Sequence, residues 1–326
     1  MKRSIQHKFI CLLAFIFTTS ATCSSPAPRA TKAVKTVAFI TNTTSDFWKI
    51  ARKGCEKADT ELAAVKVVFK TTNTGSIEEQ NGLIRDALDR DEADAIAISV
   101  IDPASQKKVI NDAAKRALVI TQDSDAPDSD RSLYLGADNR AAGRQAGELV
   151  KKALPQGGKI MVFVGKREVQ NARERFEGLK ESLQGSKVEI IDLLTDDADP
   201  GRARENAYQT LKKYPDIAGM VGLWSYNGPS ILEALRPEGK AGQIKVVCFD
   251  DERATLAAIK DGAIFGTVAQ QPYEYGYQAV QIAARILKGD RSAIPENKTI
   301  LIPTVIIQEN NVDEYTKKLN QLLGTT

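Results

Sequence analysis

From Val34 onward, short apolar runs alternate with longer segments whose apolar residues recur every three to four positions. That alternation predicts strands and helices in turn. Apolar runs at 37–40, 65–69, 95–98, 118–121 and 133–135 predict strands, and helical spacing fills 47–64, 77–88 and 103–115 between them. Ser76 with Glu79 fits a capping box, and Asp102-Pro103 supplies a cap followed by proline at the first helical position. A helix predicted at 139–154 stops at Pro155 and Gly157-Gly158, and a second series then begins. It places strands at 160–164, 188–194, 219–224, 244–249 and 264–269, with helices between them and a last one from Tyr273 to about Leu287. Strands spaced by helices of this length imply βαβ units, so the expected fold is α/β, with two doubly wound parallel-sheet lobes.

The chain of 326 residues is long enough for two such lobes, and 42% hydrophobic with 27% charged residues is a globular composition. Its start reads differently from the rest. Lys2, Arg3 and Lys8 precede a nine-residue apolar run at 9–17 and small residues at 18–22, the order of a secretory signal over 1–22. Nine apolar residues are far fewer than the roughly 20 of a spanning helix. Cys23 and the Ser/Pro/Ala stretch behind it resemble a lipoprotein processing site with a tether over 23–33, and simple cleavage near Ala21 is the competing expectation. Loss of 1–22 takes three basic residues and no acid, leaving 42 of each sign. A neutral chain gives no electrostatic reason to expect nucleic acid as a partner. His7, the one histidine, falls in the signal, so no His-based nucleophile pair or metal motif is expected, and no cofactor. Cys55 and Cys248 lie in apolar patterns and read as small buried hydrophobes.

Polar and aromatic residues gather where strands hand over to helices. Ser45-Asp46-Phe47-Trp48 follows the first strand, Gln122-Asp123-Ser124-Asp125 the fourth, and Asn171-Ala172-Arg173-Glu174-Arg175 opens a helix of the second series. Trp224-Ser225-Tyr226-Asn227, Asp250-Asp251-Glu252 and Gln270-Gln271-Pro272 end later strands. In open α/β sheets ligands lie beyond the carboxyl ends of strands, so these groups are expected to face one cleft between the lobes.

Together these segments, in this order from about Val34 to Gln308, resemble bacterial periplasmic ribose-binding and related sugar-binding proteins. The resemblance implies a type I periplasmic binding protein: two lobes joined by three crossings, closing on a monosaccharide or related polyol and delivering it to an ABC-type permease. It implies a monomer without catalytic residues, in the periplasm or anchored there by lipid at Cys23. It implies lobes at 34–137 with 271–297 and at 138–270 with 298–312, and a tail at 313–326. Phe47 and Trp48 would stack on the sugar; Asp123, Arg173, Asp250 and Gln270 would bond its hydroxyls. A sugar ring suits such a set, because its C–H faces meet aromatic rings and its rim of hydroxyls meets charged donors and acceptors.

The match has departures. Trp224 stands where ribose binders carry Asn, Ser124 where they carry Arg, and Ser45 where they carry Asn near Phe47. Trp224 is therefore a candidate second stacking face, with Ser45, Asp125 and Asn227 as further polar candidates. Each residue also has an ordinary reading. Asp123 and Asp250 fit helix N-caps, Arg173 fits a pair with Glu177, and Trp224 fits core packing. Arg175 and the run 196–199 read as solvated surface, Phe249 as core, and Gln271 stays open. Three rival functions share the pattern: a repressor effector domain, which lacks room for a DNA-binding headpiece here; a secreted glycosidase using two carboxylates; and the same fold with a non-sugar cargo.

Overall fold

The apolar runs form parallel strands covered on both faces, and the computed structural model describes residues 33–325 of the chain. The signal and Cys23 lie outside the described residues. The first series comprises β1 (Lys35–Ile40), α1 (Asp46–Glu61), β2 (Val65–Lys70), α2 (Ile77–Asp89), β3 (Ala95–Ile98), α3 (Pro103–Ala114), β4 (Leu118–Gln122) and β5 (Leu133–Gly136). The second comprises α4 (Asn139–Ala153), β6 (Gly158–Val164), α5 (Gln170–Leu183), β7 (Val188–Thr195), α6 (Pro200–Lys213), β8 (Ile217–Gly222), α7 (Asn227–Leu235), β9 (Lys245–Phe249), α8 (Arg253–Lys260) and β10 (Gly266–Ala269). The chain closes with α9 (Pro272–Leu287), β11 (Thr299–Leu301), β12 (Val305–Ile307) and α10 (Val312–Leu323).

Two sheets result, with the same order: β11-β5-β4-β3-β1-β2 and β12-β10-β9-β8-β6-β7. All pairings are parallel except that of β12 with β10. Each sheet is packed on both faces, which is why its strands read as unbroken apolar runs rather than as alternations.

The helix that follows the fifth strand of each sheet packs in the other half. α4 lies along α5, and α9 lies along α1 and covers the first sheet. Glycines permit both approaches: a Cβ on Gly178 would fall 2.0 Å from the Arg140 carbonyl oxygen, and one on Gly276 would fall 2.0 Å from that of Ala51. The backbones of each pair touch directly at these points, so a methyl group has no space.

Two expectations about boundaries change. Residues 299–301 pair with β5 and belong to the first sheet, so the third crossing lies between β11 and β12 rather than at 298. The expected tail at 313–326 is largely the helix α10, whose Val312 and Leu319 are buried in the second half's core. Val312, Tyr315, Leu319 and Leu323 fall on one helical face, which gives this segment an apolar stripe to bury. Ser76 caps α2 as expected, accepting from the Glu79 N–H at 3.2 Å. Glu79 reaches back to the Asn73 and Thr74 N–H groups at 2.8 Å, short of a full capping box.

Candidate functional site

The carboxyl ends of both sheets open on one cleft, lined by Asn42, Thr43, Ser45, Phe47, Trp48, Asp123, Asn171, Arg175, Trp224, Ser225, Tyr226, Asp250 and Gln270. The first half contributes an aromatic wall from the first turn of α1. Phe47 meets Trp48 edge to face with centroids 4.8 Å apart, and the Trp48 indole N–H donates to Thr43 Oγ1 at 3.1 Å. The second half contributes Trp224, just beyond β8, whose indole N–H donates to Asn171 Oδ1 at 3.2 Å. Its ring lies over Gly165, where a Cβ would fall 2.0 Å from Cζ3, so that position admits no side chain while the indole stays.

The two carboxylates sit at matching places. Asp123 follows β4 with φ 60° and Asp250 follows β9 with φ 67°, the left-handed region that Asp tolerates better than most residues. Neither is a helix N-cap; α8 has Glu252 in that position and α4 has Asp138. Asp123 accepts from the Ser99 hydroxyl at 2.7 Å, and Asn171 approaches it from the other half at 3.4 Å, longer than an ordinary N–H···O bond. Asp250 accepts from the Gln270 amide at 3.0 Å, and the Tyr275 hydroxyl holds the other end of that amide at 3.2 Å. Burial pushes the Asp123 carboxyl up to about 6, with the Arg175 charge and the Ser99 hydrogen bond opposing it. Burial also raises Asp250, again against Arg175 and Gln270.

The arginine of the cleft is Arg175, not Arg173. Arg173 is exposed and donates to the Glu168 carbonyl. Arg175 is 1% exposed and lies over the Phe249 ring at 4.5 Å. It donates to Asn139 Oδ1 at 3.0 Å and to the Leu223 carbonyl at 2.8 Å, and stands 4.0 Å from Asp250. The sequence held the clue. Ala172, Leu179 and Leu183 are the buried stripe of α5, and position 175 falls one turn after 172, whereas 173 points away. Asn171, one turn before Arg175, shares its side of the helix and was likewise missed. A surface reading for Arg175 followed from charge alone, and helical phase overrides it.

Other candidates resolve differently. Ser45, Phe47, Trp48, Asp123, Trp224, Asp250 and Gln270 all line the cleft. Asp125 does not; Arg131 pairs with it through two nitrogens in a buried bridge. Asn227 does not line it either: its Oδ1 accepts from the Trp224 N–H at 2.9 Å, and its Nδ2 donates to Asp196 at 3.0 Å. It braces the loop that carries Trp224. Asp196 is therefore no solvated surface residue; it is buried, accepts from the Tyr226 hydroxyl, and its carboxyl rises to about 6 through desolvation. Asp199 caps α6. Gln271 donates to the Pro303 carbonyl at 2.7 Å, joining two crossing segments. Phe249, Cys55 and Cys248 are buried, the last two as free thiols.

Two sheets with a polar and aromatic cleft at their carboxyl ends, joined by three crossings, define a type I periplasmic binding protein. The chain belongs to the periplasmic binding protein domain family, whose model matches residues 37–291. Among curated relatives, it is 28% identical over 278 residues to the ribose import binding protein of Salmonella typhimurium, covering 83% of this chain and 90% of that one. A solute-binding protein from Burkholderia graminis solved in complex with D-arabinose superposes with TM-score 0.81 at 29% identity, covering 87% of this chain and 99% of that chain. A solute-binding protein from Agrobacterium vitis bound to α-D-tagatopyranose gives TM-score 0.82 at 25% identity, covering 87% and 98%.

Proposed function

We propose that this protein is an exported, monomeric solute-binding protein that captures a monosaccharide between its two halves and hands it to an ABC-type permease. The observation that carries the reading is the cleft itself: an indole from each half, with Arg175 and two carboxylates among them. Two indoles offer apolar faces to the two C–H faces of a sugar ring, and the charged groups take its hydroxyls. Relatives named for ribose and neighbours solved with arabinose or tagatopyranose support a sugar of five or six carbons. The second indole in place of an amide favours a ring stacked on both faces. Export, and lipid attachment at Cys23, are part of the same proposal.

Isothermal titration with D-ribose, D-arabinose, D-xylose, D-allose, D-galactose and D-tagatose tests it. Saturable heat with at least one sugar, without product formed, is expected. If none gives heat or shifts the melting temperature, the sugar reading is wrong. Mass spectrometry of the N-terminus decides the anchor, since an unmodified terminus beyond Cys23 excludes it.

A further inference from the structure

We infer that Asn139 is a positioning residue: it fixes the aim of Arg175 and links it, behind the cleft, to the Asp123 segment of the other half. Arg175 Nε donates to Asn139 Oδ1 at 3.0 Å and Nη1 to the Leu223 carbonyl at 2.8 Å, while the guanidinium rests on Phe249. Two hydrogen bonds and a ring against one face leave a rigid planar group no freedom to turn. Asp250, at 4.0 Å from Nη1, is too distant for a hydrogen bond and does not set this orientation. The remaining nitrogen, Nη2, is buried and has no hydrogen-bond partner among the described residues. A buried donor of this kind is costly unless something meets it, and in a residue lining the cleft a ligand oxygen is the natural acceptor.

Asn139 is the first residue of α4, two residues beyond Ala137, where the chain passes from the first half to the second. Its amide nitrogen lies 3.4 Å from both the Tyr134 hydroxyl and the Ala137 carbonyl oxygen. The Tyr134 hydroxyl in turn lies 3.1 Å from the Asp123 carbonyl oxygen and 3.0 Å from that of Ala137. A polar chain thus runs from Asp123 through Tyr134 and Asn139 to Arg175 by way of the crossing. Its weak step is the 3.4 Å contact, and its strong step is the one that holds the guanidinium. Asn139 therefore acts first on Arg175 and second on the crossing. The inference rests on the sugar-binding reading only for its effect on affinity; the hold on Arg175 can be tested without ligand.

The test is hydrogen exchange at the Arg175 Nε–H, followed by NMR of protein labelled with ¹⁵N-arginine and assigned by the signal's loss in Arg175→Lys. Exchange is expected to be slow in the wild type and in Asn139→Asp, which keeps the acceptor oxygen. It should be faster by about tenfold or more in Asn139→Leu and Asn139→Ser, a change worth about 1.4 kcal/mol of protection. Exchange unchanged in both of these variants overturns the inference. In titrations with D-arabinose, Asn139→Leu is expected to bind about tenfold more weakly and Asn139→Asp to recover most of the loss. Wild-type affinity in a folded Asn139→Leu would reduce Asn139 to a structural residue. A wild type that binds none of the six sugars counts against the proposed function, and the exchange data alone then decide the role of Asn139.

Discussion

Asp123 and Asp250 hold equivalent places in sheets of the same strand order. Each follows the fourth strand with positive φ, and each N–H donates to the fifth strand, to Leu135 at 3.2 Å or Val268 at 3.0 Å. Each carbonyl also receives a hydroxyl from that strand, Tyr134 at 3.1 Å or Thr267 at 2.8 Å. The backbone device is repeated, while the side-chain surroundings are not. Asp123 is held by a neutral serine and long amide contacts, whereas Asp250 has Gln270 and stands beside Arg175. The first half is thus an aromatic wall with a carboxylate raised by burial, and the second sets its own raised carboxylate beside the fixed positive charge. Repeated topology places groups; the elements packed around them decide their charge and partners.

The largest expected effect is on the half that holds the arginine. Arg175→Ala leaves Asp250, Asn139 and the Leu223 carbonyl without their cation and should cost about 3–5 kcal/mol of stability. It should also abolish sugar heat; denaturant unfolding beside calorimetry checks both. A stable variant that still binds would end the contrast between the halves.

The protonation of Asp123 can be read from pH. The Asp123 carboxyl, raised from 3.8 to about 6, binds protons in the native state that the unfolded chain has already released. Its contribution is therefore fully present below about pH 4 and lost as pH rises through about 6, a span of roughly 2–3 kcal/mol by linkage. Asp196, Asp250 and Asp251 are raised in the same sense, so the observable is the difference between wild type and Asp123→Asn. That difference should slope between pH 4 and 6, and a flat difference would show that Asp123 is ionised throughout. Sugar affinity should fall below about pH 6, because a protonated carboxyl loses its charge-assisted acceptor role.

A smaller effect separates the two stacking faces. Gly165→Ala displaces the Trp224 indole, whose ring the new methyl meets at 2.0 Å, and crowds the Tyr226 hydroxyl at 2.8 Å; it should weaken binding about tenfold, or 1.4 kcal/mol. Binding within twofold of wild type would assign stacking to Trp48. Smallest of all, Arg173→Ala should change stability by less than about 0.5 kcal/mol and leave affinity unaltered. A loss comparable to that of Arg175→Ala would return the cleft cation to position 173.

The sequence by itself determined the alternation of strands and helices, the two lobes, and the strand ends that face the cleft. These are local properties: apolar run length, helical period, and caps such as Asp102 before Pro103. It also marked Asp123, Asp250 and Gln270, because a polar group directly after a buried parallel strand has one side of the sheet to face. Tertiary structure alone decided which neighbouring charges are buried. Asp196 looks solvated until Tyr226 and Asn227 close over it, whereas the choice of Arg175 over Arg173 was already open to helical phase. Asp125 lies near the cleft carboxylate in sequence, yet its charge is taken by Arg131. The placement of β11 in the first sheet was equally hidden, because a three-residue strand carries no pattern of its own and takes its sheet from the edge left unpaired. Local pattern fixes where an element begins and which face is apolar. Which ion pairs with which depends on distances between segments far apart in the chain, and those exist only once the halves have folded together.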